Sequence, residues 1–291
     1  MKKEIMDLFS TKVKRFIALF EIAFKIFAVI VIMFCVYLVF APSDDESIDM
    51  AEEDGTEEAV CNVNGFELYG GVVTHVDQEN LSDSGNYMYD MAASEDFIVF
   101  VDETNNDDTI KALWVEVDSY GGSPAAAEEI AAAVAHSEKP VIAYVRSAAL
   151  SAAYWAISGA DHIVAVSSAD IGSIGVTSSY LDYTQQNYNE GLRYVQLSTG
   201  KYKDMSDPDK PYTNEEKQLV MRDANIIYEN FMKAISENRG MELEKVKVLA
   251  DGSTMLAQQA LENKLIDQVG TYYDAKDYLK ELIGEKVEIC W

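Results

Sequence analysis

Apolar residues run from Phe24 to Ala41 with only Lys25 interrupting them, and the run ends at Pro42. With Ile17 to Phe20 extending it, this stretch is long enough to cross a bilayer as a helix, Lys25 snorkelling to the interface. Asp44 to Glu58 is the opposite, an acidic low-complexity stretch that buries nothing and repels itself, and so reads as a disordered stalk. From Cys61 onward the pattern changes to short apolar runs separated by glycine, serine and charged residues. Strands are predicted at Phe66 to Val73, Phe97 to Val101, Ile110 to Val117, Val141 to Val145, His162 to Val166 and Arg193 to Gln196. Helices are predicted at Ala125 to Ala135 and Ala152 to Ser158, and from a capping-box start at Thr213-Asn-Glu-Glu216 to about Asn238. Further helices follow at Leu243 to Leu249, Leu256 to Lys264 and Tyr273 to Ile283.

Strand and helix alternating at short spacing argue for parallel βαβ units and an α/β fold. The chain therefore divides into a basic lead-in (1–23), a membrane span (24–41), a stalk (42–60) and one globular domain (61–291). No internal repeat is visible. Lys2, Lys3, Lys12, Lys14 and Arg15 precede the span and acids follow it, which puts the N-terminus in the cytoplasm and the domain outside. Phe40-Ala-Pro-Ser43 offers no Ala-x-Ala cleavage site and Ile32-Met-Phe34 before Cys35 does not suit a lipoprotein signal, so the span reads as an uncleaved signal anchor.

The 50 acidic residues against 23 Lys and Arg give a formal net charge of −27, which excludes nucleic acid as a partner. Cys35, Cys61 and Cys290 make no disulfide framework, and a Cys61–Cys290 bridge outside the cytoplasm stays open without support from the spacing. His75, His136 and His162 are scattered, at a strand end, a helix end and a strand start, and read as structural. No His or Cys cluster has metal-ligand spacing. Gly70-Gly71 lacks the lysine and threonine of a phosphate loop, so neither a metal nor a cofactor is expected.

The candidate chemistry is a serine without a suitable histidine. Ser151 lies where the strand Val141 to Val145 and its extension give way to a helix of small residues, where unpaired first-turn amides favour a developing negative charge and Ala152 offers its N–H. Upstream, a strand breaks into Asp118-Ser119-Tyr120-Gly121-Gly122 before the next helix, a glycine turn that can hold an oxyanion. Downstream, Thr199-Gly-Lys-Tyr-Lys203 carries Lys201 and Lys203 on one side of an extended segment. Taken singly, a serine before alanines is an N-cap, Gly-Gly is a turn and Lys-Tyr-Lys is solvated. Their joint order favours a hydrolase with a lysine base.

That order resembles the signal peptide peptidase A family of membrane-bound serine proteases, in its short single-domain form, from about Gly71 to Gly270. The resemblance implies a Clp/crotonase-like ββα-superhelix domain on the transmembrane helix. It places the oxyanion loop on Gly121 and Gly122, the nucleophile on Ser151, the Gly-Ser-Ile-Gly-Val signature on Gly172 to Val176 and the base on Lys203. Ser173, within that signature, is implied as the hydroxyl that orients the lysine, and Asp251 to Ala260 resembles the closing motif. Tyr120 stands where the family has proline, and Ala152-Ala153 where it has two glycines, changes that keep every backbone N–H and bear on substrate preference. A lysine amine, with an ordinary pKa of about 10.4, serves as a base only where burial disfavours its charge. Asp204 is then expected to point away from Lys203. The resemblance further implies peptide substrates such as remnant signal peptides, and a ring-shaped homo-oligomer in which Ser151 and Lys203 of one site come from adjacent subunits. The acidic surface would attract basic peptide ends, suit a salty habitat or simply be solvated. A crotonase-like acyl-CoA enzyme and a catalytically inactive membrane scaffold are the rival readings.

Overall fold

The computed structural model of the chain describes residues 61–76 and 91–291, together with Met33. The expected lead-in, membrane span and stalk, residues 1–60, lie outside the described residues apart from Met33. Among the described residues no helix is long and apolar enough to cross a membrane.

Strands and helices alternate as the apolar pattern predicts, and the result is an α/β fold on one largely parallel sheet. In chain order the elements are β1 (Val63–Val73), β2 (Met91–Ala93), α1 (Ser94–Asn105), β3 (Ala112–Gly122), α2 (Pro124–His136), β4 (Val141–Leu150), α3 (Ala152–Ile157), β5 (His162–Ala165) and β6 (Asp170–Gly172). Then come α4 (Thr184–Asn189), α5 (Asn214–Asn238), α6 (Leu243–Leu249), β7 (Thr254–Leu256), α7 (Ala257–Glu262), β8 (Gln268–Val269), α8 (Tyr272–Ile283) and β9 (Ile289–Cys290). The main strand order is β2-β1-β3-β4-β5-β8, with β6 and β7 continuing from β4 and β9 beside β1. Every pairing is parallel except β6 with β7.

Burial on both faces explains why the central strands are continuous apolar runs, as parallel strands are. On one face Leu113, Val115 and Val117 of β3 meet Phe97 and Val101 of α1, Ile130 of α2 and Ile157 of α3. On the other, Ala112, Trp114, Ile142 and Tyr144 pack against Ala275 and Leu279 of α8. Trp155 of α3 stacks on Phe231 of α5, ring centroids 4.8 Å apart, and so anchors the helix that follows Ser151 to the longest helix of the fold.

The helix signals read from the sequence are realised in the side chains. Ser123 accepts from the Ala126 amide at the start of α2, with Pro124 in the first turn. Thr213 and Glu216 close the capping box of α5 reciprocally. The Leu243–Leu249 helix has the predicted bounds, and β3 and β4 run further than expected, through Gly122 and to Leu150.

Two predicted strands are overturned. Phe97 to Val101 lies inside α1. Phe97, Val101 and Thr104 are buried at helical spacing while Ile98 and Val99 are exposed, and Glu95 and Asp96 occupy the first turn where the helix dipole favours acids. The uniformly apolar run hid that stripe. Arg193 to Gln196 is an irregular exposed segment, because no strand of the described chain lies beside it to complete a ladder. The short strands β2, β6, β7, β8 and β9 and the helix α4 had no distinct signal in the pattern.

Cys61 and Cys290 are disulfide-bonded, with Cα atoms 5.7 Å apart across 229 positions of sequence. Strand pairing of Val63 and Asn64 with Ile289 and Cys290 brings them together, a contact that cysteine spacing cannot reveal. Because the bridge closes nearly the whole domain, Cys61→Ser with Cys290→Ser is expected to cost about 2–5 kcal/mol. Urea denaturation measures this, and an unchanged midpoint would mean that β9 is held by its ladder alone.

Candidate active site

β4 ends at Leu150 and α3 begins at Ala152, which leaves Ser151 as the single residue of the turn. Its backbone is forced to φ 52°, ψ −124°, a positive-φ conformation outside the regular regions, rare for a residue with a Cβ and costing about 1–3 kcal/mol. The Ser151 amide donates to the Gly172 carbonyl at 2.8 Å, and its carbonyl accepts from the Trp155 amide at 3.0 Å. Its side chain caps nothing. The N-cap role that a serine before alanines ordinarily has is therefore not the role of this hydroxyl, in contrast to Ser123.

The glycine turn at the end of β3 touches Ser151 directly. A Cβ on Gly121 would lie 2.9 Å from the Ser151 Cβ, 3.0 Å from the Leu150 carbonyl oxygen and 3.1 Å from the Ala152 nitrogen, and Gly121 has φ +105°. A Cβ on Gly122 would lie 2.1 Å from the Val72 carbonyl oxygen, where β1 and β3 meet. The Gly121 amide donates to Ser119 Oγ at 3.1 Å, while the Ser119 hydroxyl donates to the Gly70 carbonyl at 2.6 Å. Gly121 is thus a spacer whose N–H is already engaged, and Gly122 and Ala152 remain the candidate oxyanion donors. Gly121→Ala is expected to lower turnover about 100-fold or more by displacing Ser151, since donor and nucleophile geometry carries a large share of such rates. Circular dichroism separates this from unfolding, and near-normal turnover in a folded variant would show that the turn tolerates the shift.

Ser173 shares a cleft of about 500 Å³ with Ser151. It too has positive φ, 50°, and its amide donates to the Ser253 carbonyl at 2.9 Å. The Gly252 amide donates to Ile174, so the signature segment and the closing motif hold each other. Met221, Ala224, Asn225 and Tyr228 of α5 form the facing wall. These residues were not singled out from the sequence, although their spacing along α5 is a helical stripe. The one carboxylate of the lining, Asp251, is held below its usual range by the hydroxyl and amide of Ser253. Among the described residues no group of three or more His, Cys, Asp or Glu could hold a metal ion.

Lys203 does not line this cleft. The segment from Lys201 to Ser206 is a run of turns, with the Lys203 amide bonded to Gly200 and the Met205 amide to Tyr202, so the expected extended arrangement of Lys201 and Lys203 is corrected. Local i to i+3 bonding replaces a ladder that has no neighbouring strand. Three lysines of this region differ in their partners. Lys201 is paired with Glu215, whose hydrogen bond, with that of Tyr202, raises the Lys201 pKa, the wrong direction for a base. Lys210 is paired with Glu216 at 2.7 Å. Lys203 is exposed and makes no ion pair among the described residues, and Asp204 instead accepts from the Tyr194 hydroxyl at 2.9 Å.

Residues 133–286 match the profile of peptidase family S49. The chain is 34% identical over 188 residues to a protein provisionally described as a protease of Methanocaldococcus jannaschii, covering 64% of this chain and 60% of that one. It is 28% identical over 246 residues to a protein provisionally described as a signal peptide peptidase of Enterococcus faecium, covering 84% and 69%. Similarity to protease 4 of Haemophilus influenzae is 27% over 231 residues, covering 78% of this chain and 35% of that one. The chain thus spans 60% and 69% of the first two relatives and about a third of the last.

Proposed function

The chain belongs to peptidase family S49, the signal peptide peptidase A family, and on that premise we propose that it is a membrane-anchored serine endopeptidase with a Ser-Lys dyad that degrades remnant signal peptides or other membrane-associated peptides. The observation that carries this reading is Ser151 itself, a strained turn residue whose hydroxyl caps no helix and makes no hydrogen bond among the described residues, pressed against Gly121 beside the Ala152 amide. Strain of this kind is kept where the surroundings impose it, as at a nucleophile.

In the proposed cycle, the neutral amine of Lys203 takes the Ser151 hydroxyl proton as the oxygen attacks a peptide carbonyl. The amides of Gly122 and Ala152 hold the oxyanion. The ammonium returns the proton to the leaving amine, and water, activated by the same amine, hydrolyses the acyl-enzyme. Ser173 orients the lysine from within the cleft.

Lys203 arrives, in this reading, from an adjacent copy in a homo-oligomer. The segment that carries it supports this, because Leu181, Leu192, Val195 and Leu197 are exposed on it, Leu197 to 93%. A second chain covering those residues would bury apolar surface and dry Lys203 at once. The parallel sheet with helices packed on it suits the Clp/crotonase-like superhelix. The apolar run 24–41 is the proposed anchor, with a cytoplasmic N-terminus and an extracytoplasmic peptidase domain. The Cys61–Cys290 disulfide supports that side of the membrane, since such bonds persist outside the reducing cytoplasm.

One experiment tests nucleophile and topology together. A membrane-impermeant serine-directed phosphonate added to intact spheroplasts carrying the full chain should label Ser151. Labelling only after lysis would reverse the orientation. No labelling of Ser151 in either preparation would favour the acyl-CoA enzyme or the inactive scaffold.

A further inference from the structure

We propose that Glu116, Arg146 and Tyr69 form a positioning cluster that sets the nucleophile end of β4 against the glycine end of β3, an inference that rests on Ser151 as nucleophile. Glu116 occupies the face of β3 on which Ala112 and Trp114 pack apolar surface, and it is itself buried. Its carboxylate accepts from the Tyr69 hydroxyl at 2.6 Å and from Arg146 Nη1 at 3.0 Å, and the Trp114 indole N–H stands at 3.4 Å. Arg146 Nη1 also donates to the Tyr69 oxygen at 2.9 Å, which closes a triangle. Burial and the Glu116 carboxylate push the Tyr69 phenol up to about 12, so it stays a hydrogen donor.

The place of this triangle in the sheet gives it a role. In register, Glu116 lies opposite Glu67 of β1 and Tyr144 of β4, yet it bonds to the residues two further along each neighbour. Tyr69 is the last residue of β1 before its ladder with β3 shifts, and Arg146 is the first residue of β4 beyond its last regular pair with β3. The β1 register shifts between Tyr69 and Gly71, and the β4 register shifts as Val117 opposite Val145 gives way to Ser119 opposite Ala149. Beyond the first shift stand Gly121 and Gly122, and beyond the second stands Ser151. Ser119 adds a second tie between β3 and β1 through Gly70. One buried carboxylate therefore clamps both irregularities from the strand between them. Only the Glu116 side of the pair is buried, the Arg146 side chain being half exposed, and a pair open to solvent on one side adds about 1 kcal/mol at most, so stability alone does not account for a carboxylate on this apolar face. A cavity of about 770 Å³ lined by Tyr69, Arg146, Gly121 and Gly122, among others, shows that the clamp and the oxyanion turn share one wall.

The test uses the full chain with Tyr69→Phe, Glu116→Gln, Arg146→Met and Arg146→Lys, measuring peptide hydrolysis and hydrogen exchange by mass spectrometry. The expected result is a loss in kcat of about 10- to 100-fold with KM within about threefold, as for misplaced catalytic groups. Combining Tyr69→Phe with Glu116→Gln should lose no more than the worse single change, because the residues act as one unit. Arg146→Lys should recover part of the Arg146→Met loss. Exchange should quicken in residues 117–122 and 146–151 and stay unchanged in α2 and α5. Unchanged kcat, unchanged exchange in those two segments, or a rise in KM alone would each overturn the proposal, the last by making the cluster a substrate subsite. A wild-type chain that neither hydrolyses peptides nor labels at Ser151 would count against the peptidase reading, and the exchange comparison would still decide the positioning.

Discussion

Ser151→Ala is expected to lower peptide hydrolysis by about 10⁴-fold or more while leaving fold and assembly in place, the scale on which removal of a nucleophile acts. The structure separates the two effects unusually well. The hydroxyl caps no helix, so its loss removes no cap, and alanine meets the same backbone strain at φ 52° that serine already bears. The Ser151 amide still reaches Gly172 and its carbonyl still receives the Trp155 amide. The thermal midpoint should therefore move by no more than about 3 °C. Turnover measured on the purified variant, beside its elution volume, checks this. Retained turnover would end the serine peptidase reading, whereas loss of turnover with loss of assembly would mean that Ser151 is structural after all.

How much of this was legible in the sequence depended on whether the signal was local. The capping box at Thr213 and Glu216, the serine and proline opening α2 and the buried apolar runs of β3 and β4 are set by neighbours within a few residues, and they could be read. The residues of Phe97 to Val101 are all apolar, so period 2 and period 3.6 could not be told apart until the partly buried Phe100 and the exposed Ile98 showed the helical stripe. Arg193 to Gln196 has apolar neighbours but no strand beside it, and strand propensity without a ladder partner does not make a strand. The site divides in the same way. Ser151 and Gly121 stand together because β3 and β4 are adjacent, and the order of motifs had already put both in one site through the family resemblance, without giving the strand order. The wall from α5, the Cys61–Cys290 bridge and the Glu116 clamp depend on contacts across tens to hundreds of residues, and no pattern along the chain announces them.

Lys203→Ala is expected to abolish hydrolysis as completely as the serine change, and Lys203→Arg should be nearly inactive too, because a guanidinium stays charged and cannot accept the proton. Lys201→Ala is the internal control. Its ammonium is exposed and already committed to Glu215, so its removal should cost no more than about threefold, as for a surface ion pair. The decisive measurement mixes two dead proteins. Ser151→Ala chains keep Lys203, and Lys203→Ala chains keep Ser151. In a ring assembled at random from equal amounts, about one interface in four joins an intact serine to an intact lysine if the site is shared, so up to about a quarter of wild-type activity should return. Fluorescent labels on the two variants establish that mixed oligomers have formed. Recovery would place the dyad across the subunit boundary, in keeping with a Lys203 that is exposed and outside the Ser151 cleft within one chain. No recovery in proven mixed oligomers would require the segment from Thr199 to Pro211 to reach Ser151 of its own chain instead, and comparable losses in Lys201→Ala and Lys203→Ala would show that the base is not Lys203.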